Sequence, residues 1–564
     1  MKRSRTTLRR TAARLAPATA SLLLLAGSLA ACSADDAPGP TASGADPCAS
    51  LAAYGEFPEG TTVTIATAFT GTEAERFDAS LEQFEQCTGI DVVQDGSDGL
   101  EVLLRRILDG SGADSTAAAD EQAEESANSS LPDLAVVPQP GLVADLARSG
   151  ALAALPDPVG ANVELGWDRS WMDVGSVDGV LYAAPIMASV KSFVWYSPVA
   201  FAQAGYEVPT TWEELVELTE RIVADNAGEA TGDGESDAAA ETAGGPTPWC
   251  LGISDGDSTG WPMSDWLEET LLATAGVGAY DAWTSHGVAL DDASAVTALD
   301  TVGKLLLADG RVPGGGEQAA TTTVEAAGEQ LVAGSCLMLH ASSNYENLLP
   351  ADTDIVAVDA AAAEHSGTGS ATAADAASDG ATDDTASSTA TSAAGEDGQS
   401  EDDAAEAGQS QATASTGGVV SAFLIPGASG DEAGSPVIVG GDFLVSLAAT
   451  SSQSGDVGDV PEEPDAAEAV MTYLTSAEWA QTRVELGGMA TAHRGVDASD
   501  MSSDVARRAT LLLQSRQSVI RFDASDSMPS DVGTDVLWGA LTTWTTGELD
   551  SKEALAEAEA AWPR

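Results

Sequence analysis

The chain predicts an α/β fold built on a parallel sheet, and three observations carry that reading. Residues 61–69 (T-T-V-T-I-A-T-A-F) alternate as a half-buried strand does. Residues 73–85 place Phe77, Leu81 and Phe84 at helical spacing on one side. Residues 131–137 form a short apolar run that stops at Pro138-Gln139-Pro140-Gly141. Between them, residues 88–93 turn through Gly89 into a second strand, and 101–109 form a second amphipathic helix. Strand, helix, strand, helix, strand is the pattern of a parallel sheet with helices on its faces. Ligands of such sheets lie at the carboxyl ends of the strands, which puts Phe69, Thr70, Gly96 and Gln139 on one rim.

The chain ahead of that sheet reads as an address. Lys2, Arg3, Arg5, Arg9, Arg10 and Arg14 precede an apolar stretch over 21–30, which closes on Leu29-Ala30-Ala31-Cys32. This is the layout of a secretory signal. The L-A-A-C ending resembles the bacterial lipoprotein cleavage box, which makes residues 1–31 the signal, Cys32 the lipid-modified first residue and 32–47 a tether. Removing 1–31 takes the net charge from −66 to −72, because six positive and no negative charges leave with it. So acidic a surface repels nucleic acid and anionic lipid headgroups, so the membrane is met through the anchor alone. Cys48, Cys87, Cys250 and Cys336 remain, an even number that allows two disulfides in three pairings. No cysteine or histidine spacing points to a metal, and nothing suggests a cofactor.

Further on, residues 190–196 (V-K-S-F-V-W-Y) read as a strand. Thr211 then caps a helix, with Glu214 completing a capping box. Trp249 opens an apolar run through Cys250, followed by a Ser/Asp/Gly/Thr loop and by Trp261, Asp265, Trp266 and Glu268 at a helix start. Residues 419–426 and 437–445 read as later strands. Four segments interrupt this order: 113–130, 226–246, 451–464 and 361–417. The last holds eleven acids but no Lys, Arg, aromatic, Leu, Ile, Val or Met, and reads as disordered for lack of anything to bury.

Several stretches together resemble a known family. F-E-Q-C-T-G-I from Phe84, L-P-D-L-A-V-V-P-Q-P-G-L from Leu131, and G-Y-E-V-P-T-T-W-E-E-L from Gly205 look like the substrate-binding proteins of sugar ABC importers, which are bacterial extracellular solute-binding proteins. K-S-F-V-W-Y, P-W-C-L-G-I, T-G-W-P-M-S-D-W-L-E-E, V-I-V-G-G-D-F, R-F-D-A-S-D-S-M-P and the tail from Leu537 are similar to the α-glucoside-binding branch, relatives of the maltose- and trehalose-binding proteins. The resemblance implies a two-lobe periplasmic-binding-protein fold with a hinge and an interlobe cleft. It places lobe one at 48–190 and 440–490, and lobe two at 191–439 and 491–564. It also implies a small neutral sugar as ligand, and permease subunits with a cytoplasmic ATPase as partners. In this architecture the expected disulfides are Cys48–Cys87 and Cys250–Cys336.

A neutral sugar offers hydroxyls and an apolar C–H face, so a receptor meets it with orientable polar groups and aromatic plates. The candidate plates are Trp261, Trp266, Trp538 and Phe69; Trp538 matches the near-terminal stacking Trp of the maltose-binding relatives. The candidate hydroxyl partners are Gln139, Asp265, Asp442, Arg521 and Asp526. For each of these the competing reading is packing, or, for Arg521, Asp523 and Asp526, a structural ion pair or turn cap. Gly440-Gly441 marks a close backbone approach or a bulge. Lys191 is read as a solvated strand end, with a cleft position the alternative. A secreted glycoside-processing enzyme would need two carboxylates about 5–10 Å apart, which 89 acids cannot rule out. No hydrolase signature is present, so the chain is read as a non-enzyme. A sugar-sensing surface lipoprotein is the remaining alternative.

Overall fold

The computed structural model describes residues 46–97, 99–110, 131–229, 245–357, 418–427, 436–448 and 465–563. Cys32, the tether and the acidic insert 361–417 lie outside the described residues. Chain contacts divide the molecule at Ala49, and the architecture below is that of Ser50–Arg564.

Two mixed sheets organise it. The larger has seven strands: β1 (Thr61–Thr67), β2 (Ile90–Gly96), β3 (Leu134–Val137), β4 (Leu152–Ala153), β7 (Ala183–Val190), β13 (Pro436–Leu447) and β14 (Val519–Phe522). A small hairpin, β5 (Ser176–Val177) and β6 (Val180–Leu181), stands apart from it. The second sheet runs in the order β11 (Asp354–Ile355), β12 (Val419–Leu424), β8 (Phe193–Tyr196), β10 (Cys336–His340) and β9 (Thr247–Trp249). As the alternation of strand and helix requires, β1 pairs in parallel with both β2 and β3. The apolar interior forms two clusters: one takes in the larger sheet and one face of the second, and the other takes in the second sheet's opposite face with the helices around it.

The first helices form where their apolar spacing places them. In α1 (Gly71–Thr88), Phe77, Leu81 and Phe84 are buried, and Gly89 ends the helix at φ 80°, a left-handed conformation that glycine adopts without strain. α2 (Leu100–Leu108) and α3 (Pro140–Ser149) follow. The strand-end rim is real: a Cβ on Gly96 would sit 2.1 Å from the Phe69 carbonyl, so the two loops touch and only glycine fits between them. The capping box at Thr211 is partly different from expectation. Thr211 Oγ accepts the Glu214 amide, but the Glu214 carboxylate reaches back to Thr210 instead.

The chain passes between the sheets where the strands are most buried. β7 runs into β8 through Lys191 and Ser192. Lys191 N donates to Ile438 O at 2.8 Å, Ser192 Oγ accepts Ile438 N at 2.8 Å, and Ile425 N donates to Ser192 O at 2.9 Å. The two crossing segments are therefore bonded to each other. Gly440 and Gly441 serve close approach: a Cβ on Gly441 would lie 2.5 Å from the Trp171 ring, and one on Gly440 would lie 3.1 Å from Lys191 Cε. The β13–β7 register shifts just beyond, between Asp442 and Phe443. β14 pairs with β13, so the chain is still on the larger sheet at Phe522. We take the last crossing to be at Asp523, about thirty residues later than the resemblance places it. Cys250 and Cys336, 86 residues apart in sequence, are joined across the β9–β10 edge. Cys48 and Cys87 are each disulfide-bonded as well.

Candidate functional site

At the crossing, one ammonium gathers three carboxylates. Lys191 Nζ lies 2.6 Å from Asp523 Oδ2, 3.0 Å from Asp265 Oδ1 and 3.3 Å from Asp526 Oδ2, and its side chain is only 13 % exposed. The expectation of a solvated strand end is thus overturned, because the strand that carries Lys191 enters the protein at this point instead of leaving it. Asp265 belongs to the helix Trp261–Ala275, which is buried from Pro262 to Leu272. Asp523 caps the short helix Ala524–Ser527, its Oδ1 accepting the Asp526 amide at 2.8 Å and the Ser525 hydroxyl at 2.9 Å.

Two further acids of the tryptophan helix hold the neighbouring segments. Glu268 accepts the Tyr280 hydroxyl at 2.6 Å and the amides of Ala524 and Ser525 at 2.7 and 2.9 Å. Glu269 accepts the Ser192 hydroxyl, whose oxygen in turn accepts Ile438 N. All three crossings are thereby tied to one helix.

Burial decides which of these acids are charged. It pushes Glu269 up to about 8 and Asp526 up to about 7, and it raises Asp265 and Glu268 well above the carboxylate range. Asp523 is the exception. Burial would raise it too, but the Lys191 charge and the hydrogen bonds from the Asp526 amide, Lys191 and Asp265 bring it below its ordinary value. One oxygen of Asp265, Oδ2, meets no N–H or hydroxyl donor. Burial and the neighbouring Asp523 push Asp265 up, while the Lys191 ammonium holds it down. The centre therefore sets one ammonium among carboxyl groups that burial pushes toward their protonated forms, Asp523 excepted.

Trp261 borders this centre. It is partly exposed, its indole N–H donates to Asp255 Oδ2 at 2.7 Å, and Lys191 Nζ lies 5.8 Å from the ring centroid. Asp442, on β13, is raised to about 6 by burial against the opposing charges of Arg483 and Lys191. Gln139 is buried at the start of α3, and nearby a Cβ on Gly141 would lie 1.8 Å from Met528 O, so α3 meets the segment after Asp526 directly.

The other expected residues are placed elsewhere. Trp266 is packed in the second core between Trp249 at 4.9 Å and His340 at 4.6 Å. Phe69 lies in the first core against Phe77 at 5.4 Å. Arg521 is engaged by Asp281 on the surface, at 2.5 and 3.0 Å. Trp538 is 2 % exposed, and its N–H is shared between Ser264 Oγ at 3.0 Å and Ser525 Oγ at 3.2 Å. It touches the centre from behind and bolts the tryptophan helix to the segment that carries Asp526. Sequence reasoning places Glu268 beside the tryptophans without assigning it a role, and it misses Glu269; the available signal was an E-E pair inside a largely apolar helix.

A model of bacterial extracellular solute-binding proteins matches residues 70–481. The chain belongs to that family. This solute-binding protein aligns with the osmoprotective compounds-binding protein of Synechocystis sp., 29% identical over 509 residues that cover 89% of this chain and 92% of the other. It also aligns with the alpha-glucosides-binding periplasmic protein of Rhizobium meliloti, 32% identical over 303 residues, 52% of this chain and 58% of the other. Among solved structures, the bacterial solute receptor AcbH superposes with a TM-score of 0.60 at 14% identity, covering 89% of this chain and 98% of that one. Maltose-bound MalE3 of T. maritima does so with a TM-score of 0.56 at 16% identity, covering 89% and 98%. These likenesses establish the two-lobe receptor fold. The family binds solutes and does not transform them, so the clustered carboxylates are not read as a hydrolytic pair. Among the described residues no helix is long and apolar enough to cross a membrane.

The charge arrangement has measurable consequences. Lys191→Met keeps the stem but leaves Asp523 without its cation, a loss of about 3–5 kcal/mol for a broken buried pair. Urea unfolding at pH 8 should show it, and the loss should shrink at pH 5, where Asp523 can take a proton. An equal loss at both values would mean that the ammonium is not what holds Asp523 ionised.

A raised carboxyl pKa means that the folded protein keeps protons the unfolded chain has released. Glu269, raised from its ordinary 4.5 to about 8, therefore lowers stability progressively as pH rises between those values. Melting temperature should fall from pH 5 to pH 8, and Glu269→Gln should flatten that slope. An unchanged slope would show that Glu269 is ionised in the folded state.

Proposed function

We propose that this protein is a lipid-anchored receptor that takes up an α-glucoside of the trehalose, maltose or sucrose class between its lobes and delivers it to the permease of an ABC importer. The observation that carries a neutral ligand is local charge balance. In a chain of net charge −66, the centre at the crossing sets the Lys191 ammonium against Asp523, among acids that burial pushes toward the protonated form. Such a site suits neither a cation nor an anion, whereas hydroxyls find both donors and acceptors in it. The partly exposed Trp261 supplies a flat apolar face beside those groups. Asp265, Asp442, Asp526 and Gln139 are our candidates for the hydroxyl contacts. Support for a glucoside comes from the Rhizobium relative, which binds alpha-glucosides by name, and from the quoted motifs. The Synechocystis relative, named for osmoprotective compounds, brings osmoprotective solutes into the same trial.

A thermal-shift panel of mono- and disaccharides, polyols and compatible solutes tests this. A ligand at 100 times its Kd adds about 2.7 kcal/mol, and the largest shift should come from an α-linked disaccharide. Trp261→Ala should then weaken that sugar at least tenfold by calorimetry, since truncating a central aromatic contact costs about 2 kcal/mol or more. Gln139→Ala should cost less. No shift with any α-glucoside would reject the reading.

The anchor is tested separately. Cys32→Ala should abolish incorporation of labelled palmitate and release the protein from the membrane fraction. Wild-type protein that takes up no label and begins at a residue other than 32 would reject it.

A further inference from the structure

The helices α1, α2 and α3 follow β1, β2 and β3 in turn, and each carries a side chain that bonds to chain from beyond the crossings. On α2, Arg105 reaches the helical turn Asp531–Leu537, which follows the last crossing at Asp523. Its Nη2 donates to Thr534 Oγ1 at 2.6 Å and to Ser530 O at 3.2 Å. Its Nη1 lies 3.0 Å from Asp535 and 3.6 Å from Asp531. Glu101, one turn earlier on α2, steadies the guanidinium: its Oε1 accepts Arg105 Nε at 2.9 Å and the Thr534 hydroxyl at 2.8 Å. On α3, Asp145 accepts the Ser530 amide at 3.0 Å and its hydroxyl at 2.9 Å.

A second seam joins the same two lobes at α1. The turn Ser343–Asn347 follows β10 of the second sheet. Asn347 Oδ1 accepts from Arg76, and its Nδ2 donates to Glu73 Oε1 at 3.2 Å. The Gly488 amide donates to Glu346, and the Ala490 amide to Asn344 Oδ1 at 3.2 Å. The lobes are therefore drawn together at two places, and neither set of bonds survives their separation. The two seams differ in exposure. Asn347 and the Glu346 side chain are buried, whereas the Arg105 partners Asp531 and Asp535 stand in solvent.

We propose that Arg105 is a salt-sensitive latch that holds the lobes closed and so sets how tightly the receptor keeps any ligand. The chain has 23 Lys and Arg against 89 Asp and Glu, so its lobes repel as they approach. A guanidinium at the seam opposes that repulsion where it is strongest, beside Glu101, Asp531 and Asp535. Its planar fork also reaches several oxygens at once, which a lysine ammonium would not do in the same geometry. A latch acts on the closure equilibrium and touches no ligand. It therefore scales the affinity for every ligand by one factor and leaves selectivity unchanged. This inference rests on the sugar-receptor reading for its ligand, and adds to it the residue that governs release.

Two variants test it. Arg105→Gln removes the charge and keeps an amide for Thr534. Asp535→Lys, at an exposed position, sets two cations face to face and serves should the first variant fold poorly. Each is titrated with the best two sugars of the panel at 0.1 and 1 M NaCl, across which the screening length falls from about 10 Å to about 3 Å. Both variants should bind both sugars about threefold to tenfold more weakly by one common factor, through faster dissociation. The wild-type advantage should shrink at 1 M NaCl. Repulsion between the acidic lobes is screened too, but in wild type and variant alike, so the difference isolates the latch. Small-angle scattering reads closure without any ligand, and Asp535→Lys should enlarge the radius of gyration at 0.1 M NaCl. Wild-type affinity in both variants, a penalty that differs between the sugars, or an advantage untouched by salt overturns the latch while leaving the Trp261 effect intact. If wild type binds no sugar, the receptor reading falls and scattering alone decides: an enlarged radius upholds the latch and an unchanged one overturns it.

Discussion

The structure depends on the ion pair between Lys191 and Asp523. Each residue stands where the chain passes between the two sheets, and Asp523 is the acid of this cluster whose pKa is lowered, the Lys191 charge and its hydrogen bonds outweighing its burial. Because the ammonium also reaches Asp265 and Asp526, one side chain of the first crossing binds the last crossing and the tryptophan helix at once. A hinge in such receptors has to bend without coming apart. A cluster of short polar contacts around one flexible lysine stem meets both demands better than packed apolar side chains, which resist sliding.

The remaining acids complete that centre at reduced electrostatic cost because burial pushes them toward the protonated form. Burying an ionised carboxylate alone would be prohibitive, and proteins avoid it by shifting the pKa. Glu268 and Glu269 follow this rule and serve as hydrogen-bonding groups, one capping the segment 524–525 and the other holding the Ser192 hydroxyl. The tryptophan helix can therefore carry Asp265, Glu268 and Glu269 on buried positions. The same helix is held from behind by Trp538 through Ser264 and Ser525. On the proposed reading, a sugar settling on Trp261 would press on an element bonded directly to the first and last crossings and, through Ser192, to the second, which is a mechanical route from ligand to hinge.

Much of the fold was legible because its signals are local. The alternation of 61–69, the Phe77/Leu81/Phe84 stripe and the Gly89 stop each specify structure within a few residues, and the parallel pairing of β1 with β2 and β3 follows from their order. The site was less legible because its partners are remote. Lys191 meets carboxylates 74, 332 and 335 residues away, so nothing in V-K-S-F-V-W-Y marks it as buried. The tryptophans were ambiguous for another reason: a plate for a sugar and a core residue share the same composition. Trp266 is shut between Trp249 and His340, while Trp261, five residues earlier, stays partly open at the first position of a helix that is buried from Pro262 onward. Arg521 differs from Asp523 and Asp526 for the simplest strand reason: it sits on β14 with its side chain turned to Asp281 on the surface, and the chain bends inward only after Phe522.

The contrast between surface and interior bears on how the receptor selects. A net charge of −66 would attract cations to any open cleft by long-range field alone. The two interior clusters counter that bias by different means. At the crossing, Lys191 occupies the place a cation would take, and burial pushes the acids around it, Asp523 excepted, toward the protonated form. At α1, Arg76 and Arg483 oppose Glu73, Asp442 and Glu346, with Glu73 itself pushed up to about 7 by burial. Both arrangements leave dipoles and hydrogen-bonding groups where uncompensated charge would otherwise be. On the proposed reading, selection against charged solutes is made in the cleft itself, by the cost of disturbing balanced pairs, and the acidic exterior does not dictate what is bound.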